Sequence, residues 1–147
     1  MYYKGFDIRA MLGNRTGHRR YLITIDGQVA YETDYADLYD ALSGNETWWN
    51  EEDYKRAIDA CEFILDNSHQ YIIYLKHYLH DEFGDRHYYR DSDYALTDPL
   101  TYSTKEDDAK VFFEYAKAEE LAGMIDSDLE YDGFDLREVY TEIYQIQ

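Results

Sequence analysis

The chain has 147 residues, enough for one domain with a buried core, and its 45% hydrophobic content excludes wholesale disorder. Its formal net charge of −18, from 32 acidic and 14 basic residues, disfavours direct binding to DNA or RNA phosphates. No apolar run approaches the roughly 18 residues of a membrane-spanning helix, and the N-terminus lacks the layout of a secretory signal peptide. We therefore expect a single cytoplasmic domain over residues 1–147, with no membrane contact.

The first 44 residues are predicted to form a β-hairpin followed by a short helix. Residues 1–12 have the composition of a strand, and a Gly- and Asn-containing loop follows them. Asp26-Gly27 lies between two β-forming runs and is a strong signal for a tight hairpin turn. A helix is expected over residues 35–42, where apolar residues recur at helical spacing before Ser43-Gly44.

Residues 50–83 are predicted to form a central helical scaffold. Asn50 can cap the first turn, and Trp48-Trp49 just before it is interpreted as a hydrophobic staple, with an exposed binding anchor as the alternative. Asp66-Asn67-Ser68 favours a break in the helix, and we therefore favour a helical hairpin. Because the apolar stripe continues across these residues, a single helix of about 34 residues is the alternative. The stripe residues expected to be nearly inaccessible are Ile58, Cys61, Leu65, Ile72, Leu75 and Leu79.

Residues 86–147 are predicted to be a mixed β/α, acidic half. The segment 105–116 fits a helix and a strand, and we favour a strand over 110–115 followed by a helix over 117–125. A last strand is expected over residues 136–146. The predicted fold class is α+β, with antiparallel β-hairpin and sheet elements at both ends packed around a central helical hairpin.

Two segments resemble metal sites incompletely. His77 and His80 lie one helical turn apart but lack the further converging ligands that zinc needs. From Asp128 onward, the acids and Gly133 match the first six positions of an EF-hand loop, but the twelfth position is Val139 instead of glutamate. No metal or cofactor is therefore predicted, although adventitious cation binding by the acidic segment 126–138 stays open.

The sequence contains no motif that indicates catalysis. A G-x-S-x-G elbow and a phosphate-binding glycine loop after a strand are both absent. Cys61, the single cysteine, lies on the apolar stripe and is predicted to be a buried hydrophobic residue instead of a nucleophile or a disulfide partner. We therefore expect a protein that is not an enzyme.

Charge and tyrosine content are the unusual features of the chain. Residues 1–33 carry a net charge of +2, so residues 34–147 carry −20. The 18 tyrosines are about four times the average frequency, and tyrosine is enriched at interfaces because its ring packs while its hydroxyl hydrogen-bonds. At helical spacing, the acids of residues 34–40 approach the spacing of successive DNA phosphates. We predict a partner-binding surface from three groups of carboxylates: Asp34, Asp37 and Asp40; Glu106, Asp107 and Asp108; and Asp126, Asp128, Glu130, Asp132 and Asp135.

Small size, strong acidity, abundant tyrosine and the absence of a catalytic motif together resemble the DNA-mimic inhibitors of phages and mobile elements, the anti-CRISPR and antirestriction proteins. The resemblance is one of composition over residues 34–147. It implies a phage protein in the host bacterial cytoplasm that blocks the nucleic-acid-binding surface of a basic host enzyme, a Cas-type or restriction nuclease.

Two alternatives accompany this interpretation. The basic segment with Arg15, Arg19 and Arg20 departs from a simple mimic, and we interpret it as pairing with the protein's own acids; the alternative is that it touches nucleic acid. For the whole chain, the alternative is an acidic adaptor or homo-oligomerisation module with no nucleic-acid-related target.

Overall fold

The computed structural model describes residues 1–15, 18–76, 86–136 and 139–147, without the side chains of residues 14, 15, 18 and 19. The chain divides into two compact units, Met1–His69 and Gln70–Gln147, each with its own four-stranded antiparallel sheet. The class is α+β, as predicted. The boundary between the units falls inside the segment 50–83, which the sequence analysis treated as one scaffold.

The sheet of the first unit is formed by strands in sequence order. These are β1 (Tyr2–Tyr3), β2 (Phe6–Arg15), β3 (His18–Ile25) and β4 (Gln28–Thr33). The β3–β4 turn is the predicted one, and both of its residues, Asp26 and Gly27, have the positive φ that a tight hairpin turn needs. The loop expected after residue 12 is shorter than predicted, because Gly13 to Arg15 pair with His18 to Arg20 and extend the ladder.

Two helices complete the first unit. Helix α1 (Asp37–Leu42) begins two residues later than predicted and ends at Ser43. Helix α2 (Glu51–Asn67) begins with a capping box between Asn50 and Asp53. The Trp49 ring meets the edge of the Tyr54 ring at a centroid distance of 5.3 Å, which confirms the staple for Trp49, whereas Trp48 is 82% exposed. The buried residues of this unit include Ile8, Ile23, Ile25, Leu42, Ala57, Cys61 and Ile64.

The second unit is a sheet with a helix on one face. Its strands are β5 (Tyr71–Lys76), β6 (His87–Tyr89), β7 (Tyr102–Ser103) and β8 (Tyr140–Gln145), in the order β7-β6-β5-β8. Helix α3 (Tyr115–Tyr131) places Ala118, Ala122, Ile125 and Leu129 in one core with Ile73 and Leu75 of β5. The opposite face of β5 contributes Ile72 and Tyr74 to a smaller cluster with Tyr88. Central strand β5 is therefore buried on both faces.

The predicted helical hairpin is wrong over residues 71–76, which form β5. The segment YIIYLK consists mainly of aromatic and branched residues that favour strands, and a strand buried on both faces is a continuous apolar run without alternation. Ile72 and Leu75 therefore matched a helical stripe by coincidence. Helix α2 ends at Asn67, within the predicted break, and the extended backbone of Ser68 leads into the sheet. Leu79 and the rest of the predicted scaffold beyond residue 76 lie outside the described residues.

The strand predicted over residues 110–115 is also wrong. Phe112 forms a single bridge with Tyr71, and α3 begins at Tyr115 and continues six residues beyond the expected end. Residues Glu106–Asp108 form a 3-10 helix before it. The last strand spans Tyr140–Gln145 and is shorter than expected. The polar run from Asp126 to Asp128 suggested a loop, but it belongs to α3, with Asp126 partly buried and with Ser127 and Asp128 exposed.

The predicted core is correct for three of the stripe residues, only partly correct for Leu65 and wrong for Ile58. Cys61, Ile72 and Leu75 are buried, and Leu65 is partly buried. Ile58 is 38% exposed, because α2 turns the small residues Ala57 and Ala60 towards the core instead. Among the residues that the structure describes, none of the helices combines the length and the apolar character needed to cross a lipid bilayer.

Candidate partner-binding surfaces

The acids predicted at residues 106–108 are presented by the 3-10 helix before α3. All three residues are exposed. The Asp108 carboxylate accepts a hydrogen bond of 2.7 Å from the Ser103 hydroxyl. Glu106 and Asp107 form no ion pair with a described residue. Within the described residues, the carboxylates of Glu106 and Asp107 are therefore exposed to solvent and not neutralised by a nearby cation.

Helix α3 and its C-terminal turn present a second set of carboxylates. Asp128, Glu130 and Asp132 are exposed and form no ion pair with a described residue. Sequence reasoning missed Glu119, which is also exposed on α3. Glu119 and Glu130 are eleven residues apart, just over three full turns, so they lie on the same side of the helix about 16 Å apart along its axis. That spacing was the signal that could have identified Glu119.

Asp126 and Asp135 also have hydrogen bonds inside the second unit. Asp126 is partly buried, and its carboxylate accepts hydrogen bonds from the Thr141 backbone N–H at 3.1 Å and the Thr141 hydroxyl at 3.0 Å. This contact joins α3 to β8. The carbonyl of Asp135, whose side chain is exposed, accepts from the Val139 N–H at 2.9 Å. Asp126 therefore stabilises the contact between α3 and β8, and we do not include it in the candidate surface.

The predicted row of Asp34, Asp37 and Asp40 is only partly on one helix. Asp34 precedes α1, and its carboxylate lies 3.4 Å from the Arg20 Nε atom. Arg20 also pairs with Glu32 at 3.3 Å. This confirms intramolecular pairing for Arg20, while the side chains of Arg15 and Arg19 lie outside the described part. Asp37 and Asp40 are exposed on α1.

An apolar groove runs between β4, α1 and α2 in the first unit. It has a volume of about 250 Å³ and is lined by Tyr31, Thr33, Tyr35, Asp37, Leu38 and Phe63. The Tyr31 and Phe63 rings meet edge to face at a centroid distance of 5.6 Å. A depression of about 390 Å³ shares Asp37, Leu38 and Phe63 with it and adds Asp40, Arg56 and Asp59. We call the two together the aromatic groove.

Sequence reasoning did not identify the aromatic groove, although it singled out two of its acids. Tyr35 is 76% exposed and Phe63 is 44% exposed, so both rings present apolar area to solvent. Phe63 lies off the buried stripe of α2, which was a signal that the sequence carried. The meeting of residues from three separate elements required the tertiary structure.

Two polar networks stabilise the units internally. In the first unit, Glu62 of α2 accepts a hydrogen bond from the Tyr3 hydroxyl and pairs with Lys4 at 3.0 Å, which lowers the pKa of the Glu62 carboxyl. In the second unit, the Tyr74 hydroxyl donates to Glu142 and Lys76 lies 3.1 Å from it, which lowers the pKa of the Glu142 carboxyl. Each carboxylate has a cation beside it, so these clusters act as cross-links between elements.

Cys61 has the environment that was predicted for it. Its side chain is buried in the first unit, and burial raises the pKa of the thiol to about 11. Because the thiolate is the nucleophilic form, such a thiol reacts slowly near neutral pH.

The EF-hand comparison begins inside a helix. Asp128 to Tyr131 belong to α3, and Gly133, with φ of 91°, follows its C-cap. The N–H groups of Gly133 and Phe134 donate to the carbonyls of Glu130 and Leu129, which is a Schellman motif. The glycine therefore ends a helix instead of shaping a calcium loop. Within the described residues there is no group of three or more His, Cys, Asp or Glu side chains arranged to hold a metal ion, and His77 and His80 lie outside them.

No family model, curated protein or solved structure matches this chain.

Proposed function

We propose that this protein is a non-catalytic inhibitor that binds the basic, nucleic-acid-binding surface of a bacterial defence nuclease of Cas or restriction type. It acts in the host cytoplasm and competes with the nucleic acid of that enzyme. The observation that carries this proposal is a set of six carboxylates in the 3-10 helix Glu106–Asp108, in α3 and at its C-cap that are exposed and whose side chains form neither an ion pair nor a hydrogen bond with a described residue. We call them the six exposed carboxylates: Glu106, Asp107, Glu119, Asp128, Glu130 and Asp132.

The distribution of charge supports a binding role for these groups. Seven basic and 19 acidic residues give the second unit a formal charge of −12, against −6 for the first. Like charges at this density repel one another and cost folding stability. A basic surface that normally holds nucleic acid, with its one negative charge per about 1.7 Å of duplex, is the partner that would relieve this repulsion most fully.

Apolar side chains among the acids support a protein target. Met124, Asp128 and Tyr131 lie within two turns on one side of α3, and Tyr131 is 92% exposed while Met124 is 52% exposed. Large apolar side chains contribute much of the binding energy in protein interfaces, whereas peripheral charges mainly accelerate association. Acidic residues that only increased solubility would not need exposed apolar side chains such as Met124 and Tyr131 beside them.

The experiment is a DNA-cleavage assay on a panel that contains a guide-loaded Cas9 and restriction endonucleases. We expect inhibition of a panel enzyme that weakens as salt or unlabelled duplex DNA is added. The matched variant replaces the six exposed carboxylates by their amides, and it should lose inhibition while keeping the circular dichroism spectrum of the parent. Unhindered cleavage by every panel enzyme, or equal inhibition by the amide variant, would contradict the proposal.

The second candidate function is an acidic adaptor or homo-oligomerisation module. It is favoured by the exposed apolar side chains of the first unit, which include Tyr35, Trp48 and Phe63. Sedimentation equilibrium distinguishes it: an oligomer that forms at micromolar concentration, together with an absence of nuclease inhibition, would favour this function.

A further inference from the structure

We propose that the aromatic groove of the first unit binds a basic segment of a partner protein. A lysine or arginine of that segment places its apolar stem on the rings of Tyr31, Tyr35 and Phe63, and its charged end lies beside Asp37. This proposal goes beyond nuclease inhibition and does not rest on it, because the groove belongs to the first unit and the six exposed carboxylates belong to the second.

The apolar walls require an occupant with apolar surface. Tyr35 and Phe63 expose large parts of their rings, and covering such area is favourable in proportion to the area removed from water. The edge-to-face contact of Tyr31 with Phe63 sets two ring surfaces at 81° to each other, so a side chain that lies in the angle formed by the two rings can touch both. A cation over such ring faces gains a further electrostatic attraction.

The charge around the groove selects a cationic occupant. Asp37, Asp40 and Asp59 line it together with one basic residue, Arg56. Asp34 is not counted because Arg20 pairs with it. A long basic side chain matches both parts of the site, since its methylene stem lies on apolar surface while its head stays near water and carboxylates. An acidic occupant would meet an excess of like charge.

The shape of the groove favours a segment of a macromolecule. Its two parts, of about 250 Å³ and about 390 Å³, form an open depression, whereas a small-molecule pocket encloses roughly 70–90% of its ligand. The adjoining depression shares three lining residues with it, so neighbouring side chains of one peptide can occupy both parts. We therefore expect a peptide in which basic and large apolar residues lie close together.

The test uses fluorescence anisotropy with a labelled peptide of about twelve residues that contains repeated Arg-Leu pairs. Two matched peptides carry Glu in place of Arg, or Ser in place of Leu. We expect the Arg-Leu peptide to bind and both matched peptides to bind at least about fivefold more weakly, the factor expected when about 1 kcal/mol of contact is lost. Absence of binding by the Arg-Leu peptide, or equal binding by the Glu peptide, would overturn the proposal.

Variants of the protein locate the binding. Tyr35→Ala and Asp37→Asn each change an exposed groove residue and should weaken peptide binding at least about fivefold. The controls in the second unit, Tyr94→Ala and Asp93→Asn, remove the same groups at exposed positions outside both proposed binding surfaces and should leave it unchanged. An equal loss in controls and groove variants would reveal general attraction to an acidic protein and overturn the proposal. So would a homodimer that dissociates on Tyr35→Ala while the peptide fails to bind, since the occupant would then be a second copy.

The peptide-binding experiment tests the aromatic groove, whereas the nuclease assay tests the six exposed carboxylates. Loss of peptide binding in Tyr35→Ala with nuclease inhibition intact would support the groove and leave the six exposed carboxylates to account for inhibition. Nuclease inhibition without peptide binding would overturn the groove alone.

Discussion

At the scale of single residues, two residues from segments that the sequence associated with binding serve helix α3 itself. Gly133 is the left-handed residue after the helix, and Asp126 accepts hydrogen bonds from Thr141 of the neighbouring strand. Both roles are local solutions to the same problem, which is that backbone and side-chain donors near the ends of elements need acceptors. An acid counted in the sequence is therefore not always an acid available to a partner.

The role of Asp126 can be separated from that of its neighbour Asp128. We predict that Asp126→Ala lowers the free energy of unfolding by about 1–3 kcal/mol, because it leaves the partly buried donors of Thr141 without their acceptor. Asp128→Ala, at an exposed position of the same helix, should change it by less than about 0.5 kcal/mol. Urea melts of both variants provide the measurement, and equal stability of the two would show that the Thr141 contact contributes nothing.

Cys61 gives a prediction at alkaline pH. Burial raises the pKa of its thiol from 9.0 to about 11, so the thiol stays protonated to a higher pH in the folded state than in the unfolded state. The resulting stability is complete below about pH 9 and is lost as the pH rises through about 11. The difference in unfolding free energy between the parent and Cys61→Ala should therefore shrink across that range. A constant difference, with rapid alkylation of the native thiol at pH 8, would contradict this.

At the scale of elements, the sequence correctly predicted those features that depend on interactions between residues close together in the chain. The Asp26-Gly27 turn, the Asn50 cap and the Trp49 staple were all correct, because each depends on residues within a few positions of one another. Strand β5 was assigned wrongly because its pairing partners, β6 and β8, are distant in sequence. Long-range pairing decides between helix and strand for a short apolar run.

The difference between local and long-range information also explains which parts of the candidate sites could be predicted from the sequence. The acids at residues 106–108 and those near the C-terminal end of α3 were identified because charged residues are rarely buried, so exposure is expected from their type. The aromatic groove was missed because Tyr31, Leu38 and Phe63 come from β4, α1 and α2, and only the tertiary structure brings these three elements together.

Strand β5 can be tested as the centre of its core. We predict that Leu75→Ala lowers the free energy of unfolding by about 2–5 kcal/mol, as large-to-small changes at fully buried positions do. Ile58→Ala should lower it by less than about 1 kcal/mol, because Ile58 is 38% exposed on α2. The helical stripe placed both residues in one core, so similar losses for the two variants in denaturant melts would favour that stripe over the strand.

At the scale of the whole molecule, the net charge of −18 should govern stability as well as binding. We predict that raising NaCl from about 20 mM to about 500 mM increases the melting temperature by several degrees, because salt screens the repulsion among carboxylates. The variant with the six exposed carboxylates converted to amides should melt higher at low salt and respond less to added salt. A melting temperature that falls with salt would show that attractive ion pairs dominate instead.

The most direct test of the proposed function is the association rate with the inhibited nuclease, measured by surface plasmon resonance at several ionic strengths. If the six exposed carboxylates bind a basic nucleic-acid surface, the association rate of the parent should fall steeply with salt. Their conversion to amides should lower that rate at least about tenfold at low salt, with a smaller change in the dissociation rate. An association rate that is insensitive to salt and equal for the parent and the amide variant would contradict the proposal.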